Sequence, residues 1–286
     1  MKKTFCFLLL IVLTGNYADS QTIQSSLLWE ISGNGLPEPS HIFGSFHILC
    51  KDDFSIPDIL RNRIKNAKQF YGELDMDDPT LQQQIAMKMI LQGKTLQSLM
   101  SAEDYTKVSE QFQKIIGISL AMFNNFKPFM GLSLLAINSI SCKEKIQPET
   151  EFANLAKQYH LPIRGLETVD DEINAIDKEP LDSQINSLKQ TVLNYDSVKN
   201  MMLEMKAVYN LRDIDSLYRF IKKAGAGGDF ETELLIKRNQ NWLPVIKKAM
   251  AENTAFFVVG AGHLGGQEGV INLLRKQGYK VTPVMY

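Results

Sequence analysis

A short run of apolar, β-forming residues near the end of the chain limits the possible folds more than any other stretch. Residues 255–260, AFFVVG, carry no polar side chain and lead into a glycine turn, GAGHLGG. Strands that are apolar on both faces are usually buried between two layers of helices. The sequence therefore predicts a central strand in a sheet that helices cover.

Further strand patterns lie near both ends of the chain, and helical patterns fill the middle. The expected strands lie in SLLWEIS, HIFGSFHIL, KQFYGELDM, LPIRGLE and YKVTPV. Helical periodicity dominates at about 78–160 and 168–250. We therefore predict an α/β fold of the α+β type in a single domain, residues 21–286. Its mixed central β-sheet is formed from both ends of the chain, with a large helical layer inserted.

The N-terminal residues 1–20 have the pattern of a secretory signal peptide. Two lysines precede an apolar run, residues 5–13, and Ala18 and Ser20 fit the small-residue cleavage zone. The run is too short to span a bilayer, and no second run of spanning length follows. We expect an exported protein, periplasmic or secreted, with no integral membrane segment after cleavage. A short membrane anchor is the alternative.

The charge balance argues against some classes of partner. The chain has 286 residues, with 31 lysines and arginines against 32 aspartates and glutamates, and its formal net charge is −1. Nucleic acids and anionic membrane surfaces attract proteins with a basic surplus, which this chain lacks. We therefore expect no nucleic-acid partner.

The cysteines are consistent with export. Cys6 leaves with the signal peptide, and Cys50 and Cys142 remain as an even pair. In an oxidising compartment such a pair can form a disulfide. Two unpaired buried thiols are the alternative, because free cysteine is commonly buried as a small apolar residue.

The glycine turn matches the spacing G-x-G-x-x-G of dinucleotide-binding loops. That fingerprint requires a following βαβ unit and an acidic residue about 20 positions later, which holds the ribose. Counting from Gly260 leads to Lys280, and no acidic residue follows Glu268. The context therefore argues against a dinucleotide loop, and the histidine in the turn becomes the feature to explain.

Two histidines share one motif. His47 follows Gly44 in GSFH, and His263 follows Gly260 in GAGH, each after an apolar strand. A histidine just past the end of a strand projects from the edge of the sheet, where α/β proteins place their sites. Imidazole is both a common metal ligand and a common general base.

A third strand ends in acidic residues. Glu73 and Asp75 share one face of KQFYGELDM, and Glu73 with His47 and His263 would form a ligand set for a divalent metal. Glu73 would complete that set or act as the base on a water molecule. The alternatives are core histidines, a buried Glu73 bonded to Arg238, and a turn or cap role for Asp75.

Other polar residues have weaker patterns. Glu167 closes the strand in LPIRGLE and could line the same edge of the sheet. His41 lies earlier on its strand and is expected at the surface. Arg238 and Asn239 lie within a late helix, where asparagine is a poor helix former, which hints at a side-chain role.

These motifs resemble the TraB/GumN family, which contains the pheromone-shutdown protein PrgY and is related to the animal Tiki metalloproteases. The resemblance rests on GSFH, GAGH and the glutamate in YGELDM. It continues in KPFM, GLETVDDEI, LLIKRNQNW and FFVVGAGHLGGQEGVINLLRKQGYKVTPV, and so covers nearly all of the chain after the signal peptide. The sequence resembles exported members from Bacteroidetes-type bacteria.

The resemblance implies a mixed sheet with helices, similar to the erythromycin-esterase and ChaN proteins. For Tiki-like members it also implies a protease that depends on a divalent metal ion, manganese or cobalt rather than zinc. The matching positions are His47, Glu73 and His263, with Arg238 and Asn239 as supporting residues that could stabilise an oxyanion.

One segment departs from the family pattern. In QPETEF, residues 147–152, the acid precedes the helix differently, and we expect this segment to lie away from the site. The leading hypothesis is an exported metal-dependent hydrolase, a Tiki-like peptidase, with a peptide or small-molecule substrate. The alternatives are a non-catalytic exported binding protein that sequesters a peptide or haem, and a structural envelope protein.

Overall fold

A computed structural model describes residues 26–224 and 231–286. The predicted signal peptide, residues 1–20, lies outside the described residues. The strands are β1 (Leu28–Ser32), β2 (Ser40–Ser45), β3 (Leu49–Cys50), β4 (Gln69–Gly72), β5 (Lys145–Ile146), β6 (Ile163–Gly165), β7 (Ala255–Gly260) and β8 (Lys280–Pro283).

Helices separate most of these strands. They are α1 (Asp58–Asn66), α2 (Leu81–Lys88), α3 (Ala102–Ile116), α4 (Pro128–Ser139), α5 (Pro148–Gln158), α6 (Val169–Ile176), α7 (Leu181–Leu193), α8 (Tyr195–Asn210), α9 (Ile214–Lys223), α10 (Arg238–Glu252) and α11 (Val270–Lys276). A π-helical segment, Glu231–Lys237, leads directly into α10. Nowhere in the described ranges is a helix both long and apolar enough to cross a membrane.

Six strands form one mixed sheet in the order β6-β4-β7-β2-β1-β8. β6, β4, β7 and β2 run parallel, and β1 pairs antiparallel with both β2 and β8. The predicted mixed sheet from both ends of the chain is confirmed, with β4 and β6 added from the middle. β3 and β5 form a separate antiparallel pair.

The strand β7 lies at the centre of the hydrophobic core, as its sequence predicts. Every residue of β7 is buried, and Phe256 and Phe257 are fully enclosed. The helical layer has a core of its own, in which Phe112, Leu135 and Leu188 are completely buried. The fold therefore has a sheet core, which positions the site, and a second core among α3, α4 and α7.

The segment HIFGSFHIL forms two strands where the sequence predicts one. β2 pairs with β7 up to Ser45 and Gly260, and there β7 turns into a 3-10 helix, Ala261–His263. Without a neighbour to pair with, β2 ends as well. His47 therefore lies in the bend between β2 and β3.

The expectation that His41 is exposed is wrong. All residues of β2 are buried, and His41 is only 7% exposed because the strand lies inside the sheet. Burial, with the nearby charge of Arg63, lowers the pKa of His41 to about 4. The imidazole is therefore neutral at physiological pH.

The two remaining cysteines form a disulfide. Cys50 at the end of β3 bonds to Cys142, just before β5, and their Cα atoms are 5.8 Å apart. Of the two alternatives that the sequence left open, the structure has the disulfide. It joins segments that are 92 residues apart in the chain.

Candidate functional site

Four parallel strands end at the same edge of the sheet, and each is followed within three residues by a polar side chain. His47 follows β2, Glu73 follows β4, Glu167 follows β6 and His263 follows β7. The carboxyl ends of parallel strands are where open α/β sheets bind ligands. The sheet thus gathers at one edge four residues that are widely separated in the sequence.

Gly260 packs directly against His47 and Glu73 in this cluster. Its backbone N–H donates to Glu73 Oε1 at 2.6 Å. A Cβ atom at this position would lie 2.7 Å from His47 Nε2 and 3.3 Å from Glu73 Oε1. Because only glycine leaves that space open, the histidine and the carboxylate can converge over the same peptide.

Arg238 is the buried cation at the centre of the cluster. Its Nη2 donates to Glu73 Oε2 at 2.7 Å and to Glu167 Oε1 at 2.5 Å. Its Nη1 lies 3.3 Å from His263 Nε2. The second oxygen of Glu167 accepts from the indole of Trp242 at 3.0 Å. The contact with Arg238 that the alternative, structural interpretation of Glu73 expects is therefore present, and Glu167 belongs to the same network.

His263 is held in one orientation. Its Nδ1 lies 2.7 Å from Asn239 Oδ1, and the Asn239 amide nitrogen donates to the carbonyl of Glu268 at 2.9 Å. Because that amide donates elsewhere, its oxygen must accept from Nδ1–H of His263. The Nε2 lone pair then faces the cluster. The contact with His263 explains why Asn239, a poor helix former, occupies a position within α10.

His47 has a partner that the sequence did not identify. Its Nδ1 lies 2.8 Å from Glu149 Oε1, which also accepts from the Ser45 hydroxyl at 2.5 Å. The expectation that QPETEF, residues 147–152, lies away from the site is therefore wrong. The pairing of β3 with β5 brings the first turn of α5 beside His47. An acid in a first helical turn is ordinarily explained by the helix dipole, and the sequence held no other signal.

The pKa values of the two histidines are shifted in opposite directions. Desolvation opposes protonation of His47, even though 66% of its side chain is exposed. The negative charges of Glu149 and then of Glu73 outweigh this effect and raise the pKa of His47 to about 9. Burial lowers the pKa of His263 to about 3, with Arg238 adding to the effect. His263 is therefore neutral at physiological pH, whereas His47 is protonated when no cation competes.

The carboxylates of the cluster also differ in the direction of their pKa shifts. Burial opposes ionisation of Glu73, yet Arg238 and the two histidines hold its pKa well below the usual range. Burial raises the pKa of Glu167 despite its contact with Arg238. Burial likewise raises that of Glu172, a residue of α6 that the sequence did not single out. Asp75 accepts from the backbone of Asp77 at 2.9 Å, which is the turn role expected for it.

The donor atoms fit a divalent cation in chemistry but are not assembled around one point. Across residues 26–224 and 231–286, no three histidine, cysteine, aspartate or glutamate side chains are arranged to hold a metal ion. Both imidazoles, however, engage an oxygen through Nδ1, which is typical of metal-binding histidines and leaves Nε2 as the ligand atom. The guanidinium of Arg238 contacts Glu73 and His263, and is the cation that they share in this structure.

Comparison with known proteins identifies the family. The sequence profile of the TraB/PrgY/gumN family matches residues 27–283. The chain belongs to the TraB/PrgY/gumN family. The residues that carried the resemblance, His47, Glu73, Arg238 and His263, lie together in this member at one edge of the sheet.

Curated relatives of this TraB/PrgY/gumN chain are named metalloproteases. Metalloprotease TIKI2 of Danio rerio is 21% identical over 92% of the chain and 61% of the relative. Metalloprotease TIKI1 of Homo sapiens is 23% identical over 91% of the chain and 62% of the relative. The chain thus spans about three fifths of the length of these relatives. No solved structure matches it at a comparable level of significance.

Proposed function

We propose that this protein is an exported metal-dependent peptidase that holds a divalent ion, manganese or cobalt rather than zinc, through His47, Glu73 and His263. The main support is the convergence of His47 Nε2 and Glu73 Oε1 over Gly260, beside a His263 whose Nδ1 is already engaged. The relatives named metalloproteases support the reaction class. Export rests on the signal-peptide pattern of residues 1–20.

The residues have separable roles in this proposal. A bound divalent ion would polarise the scissile carbonyl and lower the pKa of a water molecule. Glu73 acts as a ligand in this proposal, because its Oε1 and His47 Nε2 lie together against Gly260.

The supporting residues hold the site together. Asn239 fixes the ring of His263 through its amide oxygen, and its amide nitrogen is bonded to the Glu268 carbonyl. Arg238 balances the buried charges of Glu73 and Glu167. Since these donors all have acceptors within the chain, we assign both residues to orientation and charge balance ahead of oxyanion stabilisation.

A cleavage assay tests the proposal. Purified protein is incubated with a peptide library and manganese, cobalt or zinc, with and without a chelator. We expect metal-dependent cleavage that Glu73→Gln abolishes and Asp75→Asn retains, because Asp75 only closes a turn. Cleavage that survives the chelator or Glu73→Gln would overturn the proposal. Peptide capture without cleavage, or a haem Soret band, would instead favour the binding protein.

A further inference from the structure

Two segments far apart in the chain meet beside His47. β3 begins two residues after His47, β5 ends three residues before Glu149, and the two strands pair Leu49 with Ile146. Because each strand is only two residues long, this pairing alone is a weak anchor. The position of Glu149 against His47 therefore needs a further constraint.

The disulfide supplies that constraint. Cys50 is the last residue of β3, and Cys142 lies three residues before β5, so the bond ties together the same two segments. A cross-link restricts the relative positions that two segments can adopt. The covalent bond thus acts on the segment pair that carries His47 and Glu149.

The imidazole of His47 depends on this neighbour. Its side chain is 66% exposed, whereas that of Glu149 is 15% exposed and is also held by the Ser45 hydroxyl. Within the described ranges, Glu149 is the one side chain that hydrogen-bonds His47. A fixed carboxylate on Nδ1 selects the tautomer with its proton there, which leaves the Nε2 lone pair free.

We infer that Glu149 is the positioning residue for His47, and that the Cys50–Cys142 disulfide holds Glu149 in place, so that His47 is oriented for ligation only in the oxidised protein. This inference rests on the proposed metal-binding function. It makes completion of the site dependent on the oxidising compartment that the export signal predicts.

The first experiment separates orientation from charge. Mn²⁺ binding is measured by calorimetry in anaerobic buffer alkaline enough to keep both imidazoles neutral. We expect Glu149→Ala to lose about 10–100-fold in affinity and Glu149→Gln, which keeps the acceptor oxygen, to recover most of it. Glu151→Gln removes an acid two residues away and serves as the matched control. Equal affinity of Glu149→Ala and wild type would overturn the inference.

A readout without metal keeps this inference distinct from the proposed function. In ¹⁵N spectra of the metal-free protein, neutral His47 should carry its proton on Nδ1 in wild type and shift towards the Nε2 tautomer in Glu149→Ala. A wild type that shows this tautomer but binds no Mn²⁺ contradicts the peptidase proposal alone. An unchanged tautomer in Glu149→Ala contradicts the positioning role.

The second experiment breaks the disulfide. A phosphine supplies two electrons and becomes its oxide with oxygen from water, and the two sulfurs leave as thiols. We expect reduction to lower Mn²⁺ affinity about tenfold or more, with circular dichroism showing that the fold persists. Cys50→Ser/Cys142→Ser should start at the low affinity and not respond to the phosphine. Unchanged affinity of reduced, folded wild type would contradict the role of the disulfide.

Discussion

At the scale of single residues, Gly260 decides whether His47 and Glu73 can meet. Its φ of −56° is open to any residue, so the requirement is for space and not for a special backbone conformation. We predict that Gly260→Ala displaces His47 and lowers Mn²⁺ affinity about 10-fold or more, as measured by calorimetry. In Gly262→Ala of the same turn, the new Cβ meets only the end of the Ile221 side chain, and affinity should be retained. Equal effects of both variants would contradict this geometry.

The pKa values predict how metal binding depends on pH. A ligating imidazole must be neutral, and the neighbouring carboxylates raise the pKa of His47 to about 9, so a metal must displace its proton. Affinity for Mn²⁺ should therefore rise by about tenfold per pH unit from neutrality and level off near pH 9. The pKa of His263 is lowered to about 3, so this residue adds no pH dependence to the Mn²⁺ affinity in this range.

Calorimetry across this range measures the slope, and Glu149→Gln is the control. Removing the Glu149 charge lowers the pKa of His47, so the profile of the variant should be flatter. A profile of wild type that is already flat would show that His47 gives up no proton on binding.

Residues with a repeated or unusual pattern could be predicted, and residues with an ordinary explanation could not. The two G-x-x-H histidines and Asn239 stood out by spacing or by poor helix propensity. Glu149 occupies a first helical turn, where acids are common, and Glu172 lies on an amphipathic helix among other acids. Only the tertiary structure brings Glu149 into contact with His47, and brings Glu172 within reach of the charges of Arg238 and Glu73.

At the scale of elements, the start of α10 concentrates the buried charge. Arg238, Asn239 and Trp242 all point from it to the edge of the sheet. The preceding segment, Glu231–Lys237, is π-helical, a form often found at functional sites. A π-helix has hydrogen bonds between residues five apart instead of four. The residue pattern of LLIKRNQNW does not reveal this difference, so the sequence predicts an ordinary α-helix there.

We predict that Arg238→Ala destabilises the metal-free fold by about 3–5 kcal/mol, because it leaves two buried carboxylates without a counter-charge. The side chains of Glu73 and Glu167 are only 13% and 4% exposed, so water cannot replace the guanidinium. Urea denaturation after chelator treatment measures the change. Lys107→Ala breaks an exposed pair with Glu103 and should leave the midpoint unchanged. An Arg238→Ala variant as stable as wild type would show that the carboxylates find other partners.

At the scale of the whole molecule, the six-stranded sheet could be predicted, and the separate pairing of β3 with β5 could not. Strands of four to six residues such as β2 and β7 carry hydrophobic runs that a sequence displays. β3 and β5 have two residues each, and nothing in their sequences indicates that they pair. The helical layer inside the predicted single domain, residues 21–286, also has a core that its sequence did not separate from the sheet core.

The two cores predict independent effects on stability and on the site. Phe112→Ala in the helical layer should cost about 3–5 kcal/mol of folding free energy, yet leave Mn²⁺ affinity within about twofold because the site lies elsewhere. Phe257 is fully buried in β7, three residues before Gly260, and Phe257→Ala should lower both stability and affinity. Denaturation and calorimetry on the same preparations measure the two quantities. A parallel loss of affinity in both variants would contradict the separation.

The most direct test is Mn²⁺ calorimetry on oxidised wild type, His47→Ala and His263→Ala, with His41→Ala as a histidine outside the cluster. If His47, Glu73 and His263 share one ion, wild type binds a single Mn²⁺. Each of the two site variants then loses more than the roughly 10–100-fold typical of a residue that only supports a ligand. His41→Ala binds as wild type does. Affinities of His47→Ala and His263→Ala equal to that of wild type would contradict the shared metal site.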